Sequence, residues 1–341
     1  MTSHTSFYVT TPRIVVVGSY ATGLTLKVKR LPSPGETVLA SGYRVDYGGK
    51  GSNQAVGCAR LGTEVAFIAR IGRDNFGEMA LQLYREEGID VAFVRTTAEH
   101  PTGVGFILVE AGTGNNSIAI DPGANDLLSA ADITECDSAF QNAAVVLTQL
   151  EISVEAAEAA LARGRAHRAI TILNPAPVRP LPASVLQLVD VLTPNQTEGK
   201  VLTGRRPDAQ VEPEEIARDL LRAGVKNVAM TLGGEGALIV TPSSIRHVPA
   251  IKVQPVDTTG AGDAFNAGLA TALASGESFE SAVEFAVVTG GLAVTKEGVI
   301  PSLPRREEVA PFCQSRGIKA PTTKGTKGHE RTAKSASREL S

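Results

Sequence analysis

Cysteine is scarce in this sequence. The chain of 341 residues has three, Cys58, Cys136 and Cys313. Their odd number and wide spacing fit neither a disulfide framework nor the paired cysteines of a zinc site. We therefore expect a protein of the reducing cytoplasm.

Long apolar runs are missing as well. No stretch approaches the ~18 apolar residues that are needed to span a bilayer. The first residues also lack the basic segment followed by an apolar segment that marks a secretory signal. The sequence thus predicts neither a membrane span nor secretion.

Excess positive charge is confined to the end of the chain. Residues 316–341 carry seven Lys and Arg against two acidic residues, a net +5, so a formal charge of −3 leaves −8 for the rest. So acidic a body argues against nucleic acid as the main partner. The tail is poor in apolar residues, and we expect residues 1–11 and 317–341 to be disordered.

The remaining sequence alternates between strand patterns and helix patterns, as an α/β fold does. Continuous apolar runs are typical of strands that are covered on both faces. Such runs occur at 13–19, 64–72, 143–151, 169–177, 189–195 and 227–232. Helical patterns lie between them, for example at 154–167 and 213–224. This alternation predicts a mostly parallel central sheet with helices on both faces.

Two segments depart from that rhythm. Residues 24–31 alternate apolar and polar side chains, and residues 102–120 read as two strands around a Gly/Asn turn. Both patterns are typical of antiparallel strands with one polar face. They predict a small second sheet whose apolar face is covered by a ligand, by the main body or by another copy of the chain.

The stretch "VDTTGAGDAFNAG" (256–268) predicts a glycine-rich loop that enters a helix. A helix N-terminus presents free backbone N–H groups and a partial positive charge, and a glycine-rich approach lets an anion come close. An aspartate here would repel a phosphate unless it accepts a proton. Asp263 is therefore a candidate general base, and the amides of Gly260, Ala261 and Gly262 are a candidate anion hole.

The same loop has other interpretations. Asp263 could merely cap the helix. A Walker A loop is excluded because no Lys-Ser or Lys-Thr pair follows these glycines, and a dinucleotide fingerprint is excluded because Phe265 stands where its last glycine belongs.

Three further motifs are compatible with a ligand or with ordinary turns and caps. In "YGGKGSNQAVGCARLG" (47–62) we expect a helix N-cap at Ser52 or Asn53, with Lys50 and Asn53 suited to bind hydroxyls. In "TPNQTE" (193–198), Asn195 and Glu198 share a helix face and could hold a hydrated Mg²⁺ or form a capping pair. The glycines of "TLGGEGA" (231–237) could flank a nucleotide or form a hairpin turn.

Taken together and in this order, the motifs resemble those of the ribokinase-like (PfkB) carbohydrate kinase family. The likeness extends to "PSPGETV", "LNPAP" and "GVIPSLP" and covers about residues 12–315. It implies one kinase domain over 12–315, a β lid formed by segments of about 24–47 and 102–122, and a homodimer made through that lid. It also implies ATP-dependent phosphorylation of a primary hydroxyl, of ribose or a related pentose.

The resemblance also assigns roles to individual residues. Asp263 would be the base, with the anion hole at Gly260, Ala261 and Gly262. The sugar pocket would be lined by Gly49, Lys50, Asn53, Glu151 and Asp257. The nucleotide would lie along Asn195, Glu198, Thr231, Gly233, Gly236 and Gly262, and Glu198 would hold Mg²⁺ through water. A monovalent cation, usually K⁺, would be bound by Asp257, Thr259, Ala293, Lys296, Gly298 and Ser302.

One position departs from the family pattern. Sugar kinases of this kind carry Asn-x-Asp just after the first strand, where the carboxylate binds adjacent sugar hydroxyls. Ala21 and Gly23 stand there in this sequence. A pocket that loses such a partner loses affinity and discrimination. The sequence therefore leaves open a kinase for another polyol, a modified sugar or a nucleoside.

Overall fold

The computed structural model describes residues 13–321. Residues 1–12 and 322–341, which include most of both predicted tails, lie outside the described part of the chain. The strands are β1 (Arg13–Val17), β2 (Ala21–Val28), β3 (Ala40–Gly48), β4 (Glu64–Gly72), β5 (Val94–Thr97), β6 (Gly103–Glu110), β7 (Asn116–Asp121), β8 (Ala143–Thr148), β9 (Ile170–Leu173), β10 (Val191–Leu192), β11 (Asn227–Thr231), β12 (Gly236–Val240) and β13 (Ile245–Pro249).

Helices separate most of these strands. They are α1 (Lys50–Arg60), α2 (Asn75–Glu86), α3 (Ala130–Glu135), α4 (Val154–Ala166), α5 (Ala183–Leu186), α6 (Gln196–Leu202), α7 (Pro213–Arg222), α8 (Ala261–Ala274), α9 (Phe279–Ala293), α10 (Val299–Ser302) and α11 (Arg306–Ser315). No helix within residues 13–321 is both long and apolar enough to cross a membrane.

A nine-stranded sheet in the order β13-β12-β11-β10-β9-β8-β1-β4-β5 forms the body. Every neighbouring pair from β11 to β5 is parallel, and only β12 and β13 add antiparallel pairings at one edge. Each of the six apolar runs forms a strand of this sheet, which confirms the predicted fold class.

Both faces of the sheet are covered by helices, as continuous apolar strands require. Along β1, Ile14 and Val16 belong to the apolar layer that includes α1, α8 and α9, whereas Val15 and Val17 belong to the layer that includes α4 and α7. All four side chains are fully buried. The alternation of a strand thus divides one apolar run between two cores.

The predicted lid is the second sheet, in the order β3-β2-β6-β7. The pairs β2–β3 and β6–β7 are antiparallel, but β2 and β6 run parallel. They are parallel because both strands leave the main body in the same direction, at Ala21 and at Gly103. A sequence pattern reports alternation and cannot report this direction.

One local prediction needs adjustment. Helix α1 begins at Lys50 with Gly49 as N-cap, not at Ser52 or Asn53, because Gly49 has φ +87° and turns the chain out of β3 at once. At the other end, the described chain continues past α11 to Pro321. Ile318 there packs against the core, and the ammonium of Lys319 lies 2.7 Å from the carboxylate of Glu277.

Candidate active site

The candidate site lies where α1 and α8 begin, beside the carboxyl ends of β1, β8 and β9. In parallel sheets ligands bind at this edge. Asp263 is in the first turn of α8 and is 6% exposed. Its Oδ2 accepts a hydrogen bond from Asn53 Nδ2 at 2.8 Å, and its Oδ1 accepts one from Gln54 Nε2 at 2.9 Å. Two helices that are distant in sequence therefore meet at one carboxylate.

The hydrogen-bond partners of Asp263 show whether its side chain caps the helix. The N-cap of α8 is Gly260, and no side chain caps this helix end. Both oxygens of Asp263 are instead held by side chains of α1, so the capping interpretation is wrong. Burial raises the pKa of the Asp263 carboxyl, while nearby Lys50 and the two amide hydrogen bonds oppose that rise. A carboxylate with a raised pKa is a better proton acceptor.

The residues that supply the candidate amides are partly exposed, although the N–H of Ala261 already donates to Thr258 O at 3.3 Å. Gly262 is exposed, and Gly260 and Ala261 are half-buried. A Cβ at Gly262 would have no atom within 4 Å, whereas one at Gly260 would lie 2.7 Å from Val299 Cγ1. The end of α8 is therefore open to an anion while the carboxylate behind it is buried.

A network of amide side chains, which sequence reasoning missed, supports Asp263. Gln54 Nε2 also lies 3.1 Å from Asn174 Oδ1, and Gln149 Nε2 donates to Gln54 Oε1 at 2.6 Å. Gln149 directly follows β8 and Asn174 directly follows β9. Polar residues at the carboxyl ends of two buried parallel strands were the signal that could have identified them.

The predicted sugar-binding residues lie together. Glu151 Oε2 accepts hydrogen bonds from Ser19 Oγ at 2.6 Å and from the backbone N–H of Lys50 at 2.8 Å. Burial lowers the pKa of the Lys50 ammonium, but the carboxylates of Asp263, Glu151 and Glu198 outweigh it and the pKa is raised. Lys50 is therefore a fixed positive charge among three acidic groups.

Asn53 has an unused acceptor. Its Nδ2 is committed to Asp263, but its buried Oδ1 has no hydrogen-bond partner within residues 13–321. Buried polar atoms are rarely left unpaired. A hydroxyl donor from a ligand would satisfy this oxygen.

Asp257 joins the loop before α8 to the segment before α10. Its Oδ1 accepts from the N–H of Thr259 at 2.9 Å, and its Oδ2 accepts from the N–H of Gly298 at 3.0 Å. Burial raises the pKa of this carboxyl, but these hydrogen bonds outweigh it and the pKa is lowered. Asp257 is thus an ionised carboxylate that fixes the approach to the exposed amides.

The other residues predicted for the monovalent cation surround this junction in part. Ala293 ends α9, and the N–H groups of Val256 and Asp257 bond the carbonyl of Val294 beside it. The hydroxyl of Ser302 donates to Val299 O at 2.8 Å, and the ammonium of Lys296 contacts Glu308. These two side chains are engaged elsewhere, so a cation here would depend on Asp257 and backbone carbonyls.

The predicted nucleotide residues form a neighbouring group. Asn195 and Glu198 make the reciprocal hydrogen bonds of a capping box at α6, each 2.8 Å long, and Asn195 bridges to Thr231. Gly233 is open to solvent with φ +59°, whereas a Cβ at Gly236 would lie 2.1 Å from Val248 O. Close packing therefore explains the glycine at 236 without a ligand. It does not explain the glycine at 233.

The acidic groups do not converge on a classical divalent site. Within residues 13–321, no group of three or more His, Cys, Asp or Glu side chains could hold a metal ion. Burial raises the pKa of Glu198, partly offset by its backbone hydrogen bond and by Lys50.

Known proteins are similar to this chain in sequence and in fold. Residues 11–306 match the pfkB family of carbohydrate kinases. A ribokinase of Haemophilus influenzae is 36% identical over 301 residues, which cover 88% of this chain and 98% of that one. A deoxyribokinase of Salmonella typhi is 35% identical over 296 residues, covering 86% and 96%. The structure of Arabidopsis thaliana ribokinase with ribose and ATP has a TM-score of 0.82 at 31% identity, covering 89% and 98%.

The start of α1 leads to a test of stability. A Cβ at Gly49 would lie 2.7 Å from Tyr20 Cα, at a φ that L-residues avoid. We expect Gly49→Ala to lower the free energy of unfolding by more than ~2 kcal/mol in urea titrations. The control is Gly262→Ala, inside α8 and without near atoms, which should be neutral or slightly stabilising. Equal stability of the two variants would contradict this account.

Proposed function

Because this chain belongs to the pfkB family of carbohydrate kinases and is an ATP-dependent sugar kinase, we propose that it phosphorylates a primary hydroxyl of ribose or a related pentose. Residues 12–315 act as the kinase unit, with the lid segments of about 24–47 and 102–122 over the site. The observation that carries the proposal is the buried carboxylate of Asp263 beside a helix start, Gly260–Gly262, that is partly exposed and has no side-chain cap.

The proposed step is a direct phosphoryl transfer. The sugar hydroxyl gives its proton to Asp263 while its oxygen bonds to the γ-phosphorus of ATP. The bond from that phosphorus to the β–γ bridging oxygen breaks, and ADP leaves with the electron pair. The N–H groups of Gly260, Ala261 and Gly262 stabilise negative charge on the migrating group. The raised pKa of Asp263 suits the proton transfer.

The sugar is held by groups around the base. Gly49, Lys50, Asn53, Glu151 and Asp257 line its pocket in this proposal. The unpaired Oδ1 of Asn53 is the direct support, since it needs a donor that a hydroxyl provides. Lys50 offsets part of the negative charge of the surrounding carboxylates, and its ammonium can donate to a sugar hydroxyl.

ATP is placed along Thr231, Gly233, Gly236, Asn195 and Glu198, and its γ-phosphate reaches Gly262. The carboxylate of Glu198 commits Oε2 to the capping box, and Oε1 remains for a magnesium-bound water. One carboxylate fits Mg²⁺, which keeps most of its waters in phosphate sites. The ion would supply positive charge to the phosphates.

A monovalent cation, K⁺ in this proposal, fits the junction at Asp257. The carboxylate of Asp257 is ionised and joins two loops. The backbone carbonyls of Thr259, Ala293, Lys296 and Gly298, with Ser302, would supply the other oxygen atoms. Oxygen ligands with a single negative charge suit such an ion better than a divalent one. Its charge would stabilise the loop that leads to the exposed amides.

Ala21 and Gly23 favour a second candidate, a kinase for another polyol, a modified sugar or a nucleoside. Packing does not demand glycine at 23, because a Cβ there would meet no atom closer than 3.7 Å. Packing therefore does not explain why the Asn-x-Asp side chains are missing at 21 and 23, whereas a different ligand would explain it.

The lid also supports a homodimer. Tyr43, Val45 and Phe106 lie on one face of it and are 79%, 38% and 49% exposed. Apolar patches of this kind mark interfaces, and a second copy would cover them through a two-fold contact. We expect sedimentation equilibrium at micromolar concentration to give twice the chain mass, and Val45→Asp to shift it towards the monomer. A parent protein that remains monomeric would contradict the dimer.

The function is tested by measuring ADP release over pentoses, hexoses, polyols and nucleosides. We expect ribose or a close pentose to give the highest kcat/KM. Asp263→Ala should then lower kcat by about 10²–10⁴-fold, the usual effect of removing a general base. Calorimetry should show ATP affinity nearly unchanged.

The control for that variant is Asp137→Ala, which removes an exposed carboxylate just before β8, at the opposite edge of the sheet. It should leave kcat within about twofold, as surface changes usually do. Full turnover by Asp263→Ala would refute its assignment as the base, and preference for a nucleoside would favour the second candidate.

The cation proposal has its own test. Replacing K⁺ by tetramethylammonium at constant ionic strength should lower kcat several-fold, because the ion's charge beside the anion hole is lost. The same replacement should change little in Asp257→Ala, whose site is already broken. Equal turnover of the parent protein in both salts would rule the site out.

A further inference from the structure

The lid carries a carboxylate directly opposite Gly23. In the antiparallel pairing of β2 with β3, Gly23 is the partner of Asp46. A Cβ built on Gly23 would lie 3.7 Å from the Cβ of Asp46. Cross-strand partners project from the same face of a sheet. The side chain of Asp46 therefore leaves the backbone close to the point from which an aspartate side chain at 23 would leave it.

One side chain on this face of the lid contacts the catalytic body. Arg44 lies two residues before Asp46 on β3 and so projects from the same face. Its Nη1 donates to Glu297 Oε1 at 2.9 Å. Glu297 precedes Gly298, whose N–H binds Asp257. The opposite face of β3 carries the exposed Tyr43 and Val45.

Asp46 is also continuous with the proposed sugar pocket. Two residues farther along β3 on the same face is Gly48, the partner of Ala21. Gly49 and Lys50 follow at once. With a strand rise of about 3.3 Å per residue, Asp46 lies roughly 10 Å before Gly49. A pentose with its hydrogen bonds can bridge that span.

One oxygen of Asp46 is free for a ligand. Its Oδ2 accepts from Arg44 Nε at 2.5 Å, which holds the side chain in place. Its Oδ1 accepts no hydrogen bond from any residue in 13–321, and the side chain is 31% exposed. The carboxylate is thus oriented by one contact and available through the other oxygen.

We propose that Asp46 is a specificity-determining residue that binds sugar hydroxyls in place of a carboxylate at position 23. The inference rests on the proposed sugar kinase function and deepens it. The acceptor group has moved to the neighbouring strand, and Gly23 leaves the space in front of it clear. The substrate then retains the hydroxyls that Asp46 accepts from, which favours ribose or another pentose over a deoxy analogue.

The test exchanges the carboxylate between the strands. Kinetics are measured with the best sugar of the panel and with its deoxy analogues, for the parent, Asp46→Ala and Gly23→Asp/Asp46→Ala. Asp46→Ala should raise the sugar KM about 10–100-fold, the effect of losing a charged hydrogen bond. The KM for ATP should not change. The preference for the sugar over one deoxy analogue should also collapse.

The double variant is the decisive comparison. Gly23→Asp returns a carboxylate to the same face, and nothing closer than 3.7 Å obstructs its Cβ. It should restore a substantial part of the sugar affinity and of the preference over the deoxy analogue. If Asp46 only stabilised the lid, a carboxylate at position 23 would not restore the sugar affinity.

Two further variants test whether Asp46 binds the sugar or only stabilises the lid. Arg44→Gln leaves the Asp46 carboxylate in place and should cost less sugar affinity than Asp46→Ala. Glu110→Gln alters a lid carboxylate that bonds only the β6–β7 turn, through Thr113 and Asn115, and should leave both KM values unchanged.

The outcomes distinguish this inference from the proposed function. An active parent with an Asp46→Ala variant of unchanged sugar KM and preference overturns the inference alone. So does an Arg44→Gln variant that reproduces the whole effect when the double variant shows no rescue. A parent that phosphorylates no sugar overturns the proposed function, and the inference falls with it.

Discussion

Two amide side chains of α1 hold the carboxylate of Asp263 in a buried position, and the candidate site depends on that contact. An ionised carboxylate is costly to bury unless hydrogen bonds replace its water. Asn53 and Gln54 each donate to one oxygen. Gln54 is held in turn by Gln149 and Asn174 at the ends of β8 and β9. Asp263 is therefore positioned by the edge of the parallel sheet, and not by its own helix alone.

This arrangement explains why the site combines a buried acid with open amides. Gly260 starts α8 in a left-handed conformation and leaves the first N–H groups free of side-chain caps. Asp257 then bonds Thr259 and Gly298, which connects the loop to the segment before α10. A charged group that served as a cap would have neutralised the anion-binding end. Here the carboxylate binds α1 instead, and no side chain caps the start of α8.

Periodicity and motif order were sufficient for the architecture. Six apolar runs predicted strands of the main sheet because a parallel strand buried on both faces must be apolar throughout. The length of an apolar run was a poor guide to the length of the strand, since residues 189–195 form only the two-residue strand β10, Val191–Leu192. The loop at 256–268 identified Asp263, but Gln149 and Asn174 were not predicted. Their partner Gln54 is 95 and 120 residues away, and side-chain contacts at that distance leave no pattern in one sequence.

The lid shows where a motif can mislead. Judged along β2 alone, Ala21 and Gly23 read as the loss of sugar recognition. Judged across the sheet, Gly23 is paired with Asp46, and both positions face the same space. Recognition depends on where a carboxylate lies in three dimensions, and neighbouring strands place side chains about 5 Å apart. A carboxylate on β3 can therefore bind the same hydroxyls as a carboxylate on β2. In this proposal, glycine at 23 leaves the space in front of Asp46 clear, and Asp46 supplies the carboxylate.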